Sequence, residues 1–262
     1  MENEYGCETC YDGSGKTVDV KRFISKLDGY FMVDDLSSAD KLIADWAAEA
    51  RLSGDDRGLL SIMNEGLGFY RRTGDYEKAM DCIDEVAALI EKTGVQRKVS
   101  GATVYVNMAT TMKAFGKAQE SLKYYDMAES VYLDGNMSES YEYSALLNNR
   151  ASALTELERY DEAELNLVIA IEILKKDQKH LGEVAVALIN LAHLTYDRND
   201  NDTDKVEKLL DEAWGYLTDE RIPHDGNYAF IISKCAPSLR YFNRVDEADA
   251  LDAVSKVIYG KQ

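Results

Sequence analysis

The strongest constraint on the fold is a pattern that recurs about every 42 residues along this 262-residue chain. In each copy an apolar stretch with helical spacing is followed by a short polar turn and a second such stretch. The second stretch carries a small or modest residue near its start, at Ala39, Ala79, Ser121, Ala163, Val206 and Ala248 in turn. The intervals between these residues are 40, 42, 42, 43 and 42. A near-constant interval of this length indicates stacked helical hairpins.

The fourth copy shows how two helices of one hairpin can pack together. Leu147, Ala151 and Leu154 follow the i, i+4, i+7 spacing of one helix face. Ala163 and Leu167 begin the matching stripe on the second helix. Alanine at a helix crossing lets the two backbones approach closely, whereas a larger side chain would hold them apart. We therefore expect Ala163 to lie at the crossing.

This template predicts an all-α fold, a right-handed α-solenoid of about six helix pairs. A flexible N-terminal leader is expected over residues 1–17, followed by a repeat domain over residues 18–262. The chain has only 2 Pro and 17 Gly, too few turn-forming residues for an all-β sandwich. The expected helix pairs are 18–32 and 36–52, 56–72 and 76–93, 98–115 and 118–133, 138–157 and 161–175, 181–197 and 203–217, and 226–241 and 246–258.

The charge balance excludes several classes of partner. The chain has 48 acidic and 30 basic residues and a formal net charge of −18, whereas binding to a phosphate backbone requires a cationic surface. No apolar run approaches the ~20 residues of a membrane span. The first residues also lack the basic-then-apolar pattern of a signal peptide. We therefore expect a cytoplasmic protein that binds neither nucleic acid nor membranes.

Four short segments resemble the tetratricopeptide repeat family. Gly-Asp-Tyr-Glu-Lys-Ala at 74–79 and Arg-Tyr-Asp-Glu-Ala at 159–163 resemble its turn and second-helix signature. The segments at 147–151 and 188–192 resemble its first-helix signature. The repeat interval is longer than the usual 34 residues and is similar to that of kinesin light chains and bacterial Rap-type regulators. One departure is Leu67, which stands where Gly or Ala is usual.

The resemblance implies that the first helix of each pair lines a concave groove that holds a peptide. Two residues before the small residue of that helix stand Asn107, Asn149 and Asn190, and Asn64 takes the equivalent place if its helix slips by one residue. An amide offers a donor and an acceptor together, so it can pair with any peptide backbone. This series resembles the asparagine ladder of kinesin light chain grooves. The alternative is that these amides bond across adjacent repeats.

Polar and basic side chains flank the predicted amide series. Thr110, Ser152 and His193 follow at i+3 on the same helical faces. Positive charge near the N-terminal repeats comes from Arg71, Arg72 and Lys113, which we assign to the groove rim. Because the net field of the chain is negative, the sequence favours a ligand with some positive charge.

Motifs that would indicate catalysis or cofactor binding lack their structural context. Gly-Ser-Gly-Lys-Thr at 13–17 resembles the end of a phosphate-binding loop, but no buried strand precedes it. Cys7 and Cys10 form a single C-x-x-C, which is open to metal, redox or plain surface-thiol interpretations. No nucleophile pairs with a histidine in a catalytic order. We expect no enzyme activity, no cofactor and no bound metal.

The leading functional prediction is a non-catalytic protein–protein interaction module that binds an extended peptide or a partner helix in its groove. One alternative is a peptide-responsive bacterial regulator of the Rap-like type. Another is a self-associating structural scaffold, a homodimer through the C-terminal helix, because residues 254–259 leave an apolar edge.

Overall fold

The computed structural model describes residues 17–198 and 202–260, and the regular elements of this part of the chain are all helical. The predicted leader lies outside the described residues except for Thr17. The helices are α1 Val20–Met32, α2 Leu36–Ser53, α3 Asp56–Thr73, α4 Tyr76–Thr93, α5 Val99–Ala114, α6 Ala118–Asp134, α7 Tyr141–Glu156, α8 Tyr160–Leu174, α9 Leu181–Asp197, α10 Thr203–Leu217, α11 Gly226–Tyr241 and α12 Val245–Gly260, with a 3-10 turn at Gln178–His180.

The helices form consecutive antiparallel pairs in two compact units, Met1–Val131 and Tyr132–Gln262. In the first unit α1 packs on α2 and α3 packs on α4. In the second unit the pairs are α7 with α8, α9 with α10 and α11 with α12. The sixth pair is α5 with α6, which the Thr110 and Tyr125 hydroxyls join at 3.1 Å, so the all-α fold of six helix pairs is confirmed.

Local sequence signals account for where the helices begin and end. An N-cap side chain accepts a hydrogen bond from a backbone amide of the first turn at Asp19, Asp35, Asp55, Asp75, Ser140, Asp202 and Asp225. The C-caps Gly54, Gly74 and Gly94 adopt the left-handed conformation, which glycine enters without a Cβ penalty. These caps confirm that the polar segments between apolar stretches are turns.

The small residue that defines the repeat is buried in every copy. Its exposed fraction is 0% in five copies and 4% at Val206. The unusual Leu67 is also explained, because Gly66 takes the close-contact position instead: a Cβ added there would lie 3.3 Å from Cys82 Sγ. The Cys82 thiol donates a hydrogen bond to the carbonyl oxygen of Met63 at 3.0 Å. The one-residue slip expected for α3 is therefore confirmed.

The odd-numbered helices form the more closely packed layer of each unit. The backbone of α3 approaches those of α1 and α5, and the backbone of α9 approaches those of α7 and α11, more closely than α2 approaches α4 or α8 approaches α10. We call the odd-numbered helices of each unit its inner layer and the even-numbered helices its outer layer.

Long charged side chains bridge neighbouring helices of the outer layer. Lys78 Nζ lies 2.6 Å from Asp40 Oδ2, and Arg51 Nη2 lies 2.6 Å from Glu85 Oε2. Such exposed ion pairs contribute about 0–1 kcal/mol each, so they bridge neighbouring helices without determining the distance between them. The packing of small and apolar residues sets the spacing of the hairpins.

Candidate functional site

Two predicted asparagines meet across neighbouring repeats in the inner layer of the first unit. Asn107 Nδ2 on α5 donates to Asn64 Oδ1 on α3 at 2.9 Å. Both side chains are half-buried. A second N–H of the donor amide and its own oxygen are not used by this bond. The pair therefore links two hairpins, which is the arrangement that the alternative interpretation of these amides predicts, and it leaves donor and acceptor groups outside this bond.

A carboxyl group next to this amide pair is held in an unfavourable environment. Burial raises the pKa of Glu65, and the nearby Asp28 carboxylate raises it further, whereas a hydrogen bond with Asn64 acts in the opposite direction. A raised pKa means that Glu65 gains its proton at a higher pH than an exposed glutamate. The amide of Asn64 thus stabilises both a neighbouring amide and a poorly solvated carboxylate.

Arg71 lies two turns after Asn64 on α3 and is half-buried. Burial lowers the pKa of its guanidinium, and the Tyr125 hydroxyl partly opposes that shift. Within the described part of the chain no carboxylate forms an ion pair with Arg71, although the chain has 48 acidic residues. The Tyr125 hydroxyl lies 3.1 Å from Thr110 Oγ1. Arg71, Tyr125 and Thr110 therefore form a polar group with an uncompensated positive charge.

The other two predicted rim residues differ from Arg71. Arg72 is exposed, pairs with Asp34 at 3.2 Å and places its guanidinium 5.2 Å from the centre of the Phe31 ring. Its charge is therefore engaged by the first hairpin. Lys113 is half-buried near the end of α5.

The second unit repeats the amide pair with a different residue from the one predicted. Asn190 Nδ2 on α9 donates to Asn148 Oδ1 on α7 at 2.9 Å, so Asn148 takes the place in the series that was assigned to Asn149. The repeat interval does not separate the two residues, because Asn148 precedes Asn190 by 42 residues and Asn149 follows Asn107 by 42 residues. One residue along a helix turns a side chain by about 100°, so the adjacent Asn149 points elsewhere on α7. Ser152 is exposed on the same helix.

His193 belongs to an aromatic cluster that the sequence did not predict. Its ring centre lies 5.2 Å from that of Tyr241 and 4.7 Å from that of Phe242, and Tyr196 meets both of these rings edge-on. Burial lowers the pKa of His193, and the Asp197 carboxylate partly opposes this. The imidazole is therefore uncharged at neutral pH. The aromatic cluster, defined as His193, Tyr196, Tyr241 and Phe242, lies at the ends of α9 and α11.

Solved structures provide the comparison that identifies the fold. The chain is similar to BtubC (BKLC) from P. vanneervenii, with 17% identity, a TM-score of 0.56, and coverage of 88% of this chain and 91% of that chain. It is also similar to a P. anserina protein whose description names a kinesin light chain and nearly identical TPR-like repeats. That match has 17% identity and a TM-score of 0.52, and it covers 76% of this chain and 94% of that chain. A single-residue variant of that protein gives a TM-score of 0.53 at the same identity.

This chain has the tetratricopeptide-like repeat fold. The resemblance expected from its turn and helix signatures is thereby confirmed. No protein-family model matches the chain, and no curated protein matches it either. At 17% identity the shared property is the fold alone.

The tetratricopeptide-like fold leaves an apolar cleft at the last hairpin. The cleft has a volume of about 520 Å³ and lies between the start of α11 and the apolar side of α12. Val254, Val257 and Ile258 line it from α12, and Val257 is 53% exposed. This surface corresponds to the apolar edge predicted from residues 254–259.

The remaining candidate groups of the fold are structural in the residues described. Cys82 and Cys235 are buried, and burial raises the pKa of each thiol to about 12. Within residues 17–198 and 202–260 no three side chains are grouped as metal ligands, and no helix has both the length and the apolar character to cross a membrane. Cys7, Cys10 and most of the segment 13–17 lie outside the described residues.

Proposed function

We propose that this chain is a cytoplasmic, non-catalytic interaction protein that binds an extended peptide segment of a partner protein along its inner-layer helices. The observation that carries this proposal is the repetition of one cross-repeat amide pair, with the same Nδ2–Oδ1 distance of 2.9 Å, in both units. The excess of acidic residues supports a protein partner over a nucleic acid.

The amide pairs have a physical reason to serve binding as well as packing. Asparagine is a poor residue for a helix interior, so its recurrence there requires a compensating role. Each pair holds its two amides in fixed orientations, which reduces the side-chain entropy lost when a ligand binds. In each unit the unused amide groups include both donors and acceptors, which are the groups that an extended backbone offers for pairing.

Arg71 supports the same proposal in the first unit. A half-buried guanidinium without an ion pair in the described residues has lost hydration without a compensating carboxylate. A carboxylate or carbonyl oxygen of the bound peptide would supply that compensation. Thr110 would contribute a hydroxyl beside it, while Ser152 and His193 would flank the peptide in the second unit. Asn149 remains a predicted groove contact, and Arg72 and Lys113 remain predicted rim contacts.

Removal of the amide pairs tests the proposal. A binding peptide is first selected from a displayed library of random dodecapeptides, and its affinity is measured by fluorescence anisotropy. We expect binding at least tenfold weaker in the variant with four substitutions, Asn64→Ala/Asn107→Ala/Asn148→Ala/Asn190→Ala. Each lost hydrogen bond contributes about 0.5–1.5 kcal/mol, and a tenfold loss of affinity corresponds to about 1.4 kcal/mol.

Gln119→Ala is the matched control, since it removes an exposed amide from the outer-layer helix α6 and leaves both cross-repeat amide bonds in place. This control is expected to change affinity less than threefold. If the variant with all four Asn→Ala substitutions stays folded by circular dichroism and keeps its affinity for the peptide, the amide pairs serve packing alone and the proposed site is wrong.

The cleft at α12 favours a self-associating scaffold as a second candidate function. An apolar cleft of about 520 Å³ that exposes Val257 is suited to an apolar partner surface. In this case light scattering should give twice the 29.4 kDa chain mass at micromolar concentration. Val257→Glu should restore the monomer, and Val168→Glu, at an exposed valine of α8, should leave the dimer intact. A monomeric wild-type chain would remove this candidate.

A further inference from the structure

A small cleft in the second unit lies beside the aromatic cluster, where the end of α9, the start of α10 and the end of α11 meet. Its volume is about 230 Å³, and it is lined by Tyr196, Thr203, Val206, Glu207, Tyr241 and Phe242. Pockets for drug-sized molecules are usually about 300–1,000 Å³. This cleft therefore has room for one amino-acid side chain rather than for a larger ligand.

The walls of the cleft are aromatic and accessible. Tyr196 is 43% exposed and Tyr241 is 59% exposed, although both have a large apolar area that would be buried in an ordinary core. Their ring centres lie 5.8 Å apart at an angle of 87°. At this separation the two rings touch edge to face, so a cation can approach only the outward face of a ring, where the π-electrons attract it.

Two carboxylates lie beside the cleft: Glu207 lines it, and Asp197 stands next to Tyr196 at the end of α9. Three nearby arginines are each engaged by carboxylates, Arg198 by Asp161 and Glu164, Arg240 by Asp249 and Asp252, and Arg244 by Glu207, Asp211 and Glu247. In the described residues no ion pair engages Asp197, so its charge remains available to a bound cation. His193 adds no positive charge at neutral pH, because burial lowers its pKa.

We propose that this cleft binds the cationic side chain of a lysine or arginine, held against the outward ring faces of Tyr196 and Tyr241 and attracted by Asp197. The assignment of that side chain to a partner polypeptide rests on the proposed function, whereas the affinity of the cleft for the cation does not. A neutral side chain would gain little from the ring faces, and an acidic one would be repelled by the carboxylates.

The same chain shows this kind of contact at an exposed ring elsewhere. Lys234 Nζ lies 4.0 Å from the centre of the Phe230 ring on α11, and Phe230 is 52% exposed. That ring is already occupied by a cation of the chain. Among the rings of the cleft, Tyr196 and Tyr241 have no such internal cation in the described residues.

The experiment is a titration of the whole chain, with ¹³C-labelled tyrosine rings followed by NMR. The probes are N-acetyl-arginine amide, N-acetyl-lysine amide and, as a neutral isostere of arginine, N-acetyl-citrulline amide. We expect the two cationic probes to shift the ring signals of Tyr196 and Tyr241 in a saturable way. Citrulline amide should leave them unshifted at the same concentrations.

Substitutions distinguish a contribution of the aromatic ring faces to cation binding from a contribution of apolar side-chain volume. Tyr196→Leu and Tyr241→Leu are each expected to weaken arginine-amide binding by about two- to fivefold, the range for an exposed cation–π contact, and Asp197→Asn should weaken it further at low salt. Tyr241→Phe keeps the ring and should keep the affinity. Phe230→Leu is the matched control on α11 and should have no effect.

Three results would overturn the proposal: equal shifts with citrulline amide, unchanged affinity in the folded Tyr196→Leu and Tyr241→Leu variants, or an equal loss in Phe230→Leu. Loss of affinity in Tyr241→Phe would also contradict it, since the ring face remains. In the Asn148→Ala/Asn190→Ala variant, arginine amide should still bind with wild-type affinity. A failure of peptide binding at the amide pairs is thereby distinguished from a failure of the cleft.

Discussion

Replacement of Gly101 with alanine is expected to lower the free energy of unfolding by about 3 kcal/mol, the upper end of the usual cost of overpacking. Gly101 lies in the first turn of α5, next to the loop that precedes this helix and contains Val95 and Lys98. A Cβ added there would overlap the carbonyl oxygen of Val95 and lie 2.9 Å from its carbonyl carbon. The backbone turn would have to move, and that turn includes the hydrogen bond from Lys98 N to Val95 O.

The sign of this effect is the opposite of what helix propensity predicts. Alanine is more favourable than glycine in a helix interior by about 1 kcal/mol. Gly29→Ala is the matched control, because Gly29 lies in α1 with no atom within 4 Å of its added Cβ. That change should stabilise the protein by about 0.5–1 kcal/mol in urea denaturation. If Gly101→Ala also stabilises it, the close contact with Val95 is wrong.

Replacement of Ala163 with leucine is expected to cost about 1–3 kcal/mol of stability, again through overpacking. Ala163 is 0% exposed in α8, which packs along α7. Three additional heavy atoms at this position would push the two helices of the hairpin apart or force strained rotamers. The change should appear as a lower urea midpoint with little change in slope.

An exposed alanine provides the comparison for this substitution. Ala48 lies on the outer side of α2 and is exposed, so Ala48→Leu should change stability by no more than about 0.5 kcal/mol. The contrast between the two variants isolates burial, since the chemical change is the same. An unchanged midpoint in Ala163→Leu would place that residue away from the helix crossing.

The helices and their pairing could be predicted because their signals are local and repeated. Aspartate caps such as Asp55 and Asp75 and glycine C-caps such as Gly74 act within a few residues of their position. The small or modest residue near the start of the second helix recurs six times, so the common interval identifies it even where one copy alone would be ambiguous. The expected helix limits therefore lie within three residues of those observed.

The candidate site was less accessible to the same reasoning. The series of inner-layer asparagines was found by periodicity, but its third member was assigned to Asn149 where Asn148 makes the cross-repeat bond. A shift of one residue has little consequence for a helix limit but turns a side chain by about 100° on the helix surface. The aromatic cluster has no periodic signal, since Tyr196 and Tyr241 are related by 45 residues and not by the repeat interval.

The sequence by itself determined the helical elements, their order and the small residues at which they stack, because those properties depend on neighbours within one or two turns and are stated repeatedly along the chain. Only the tertiary structure decided which amide meets which, that Arg71 is desolvated without an ion pair in the described residues, and that four aromatic rings gather at the ends of α9 and α11. Those properties depend on the angle and separation of helices about 40 residues apart, and no single segment encodes that geometry.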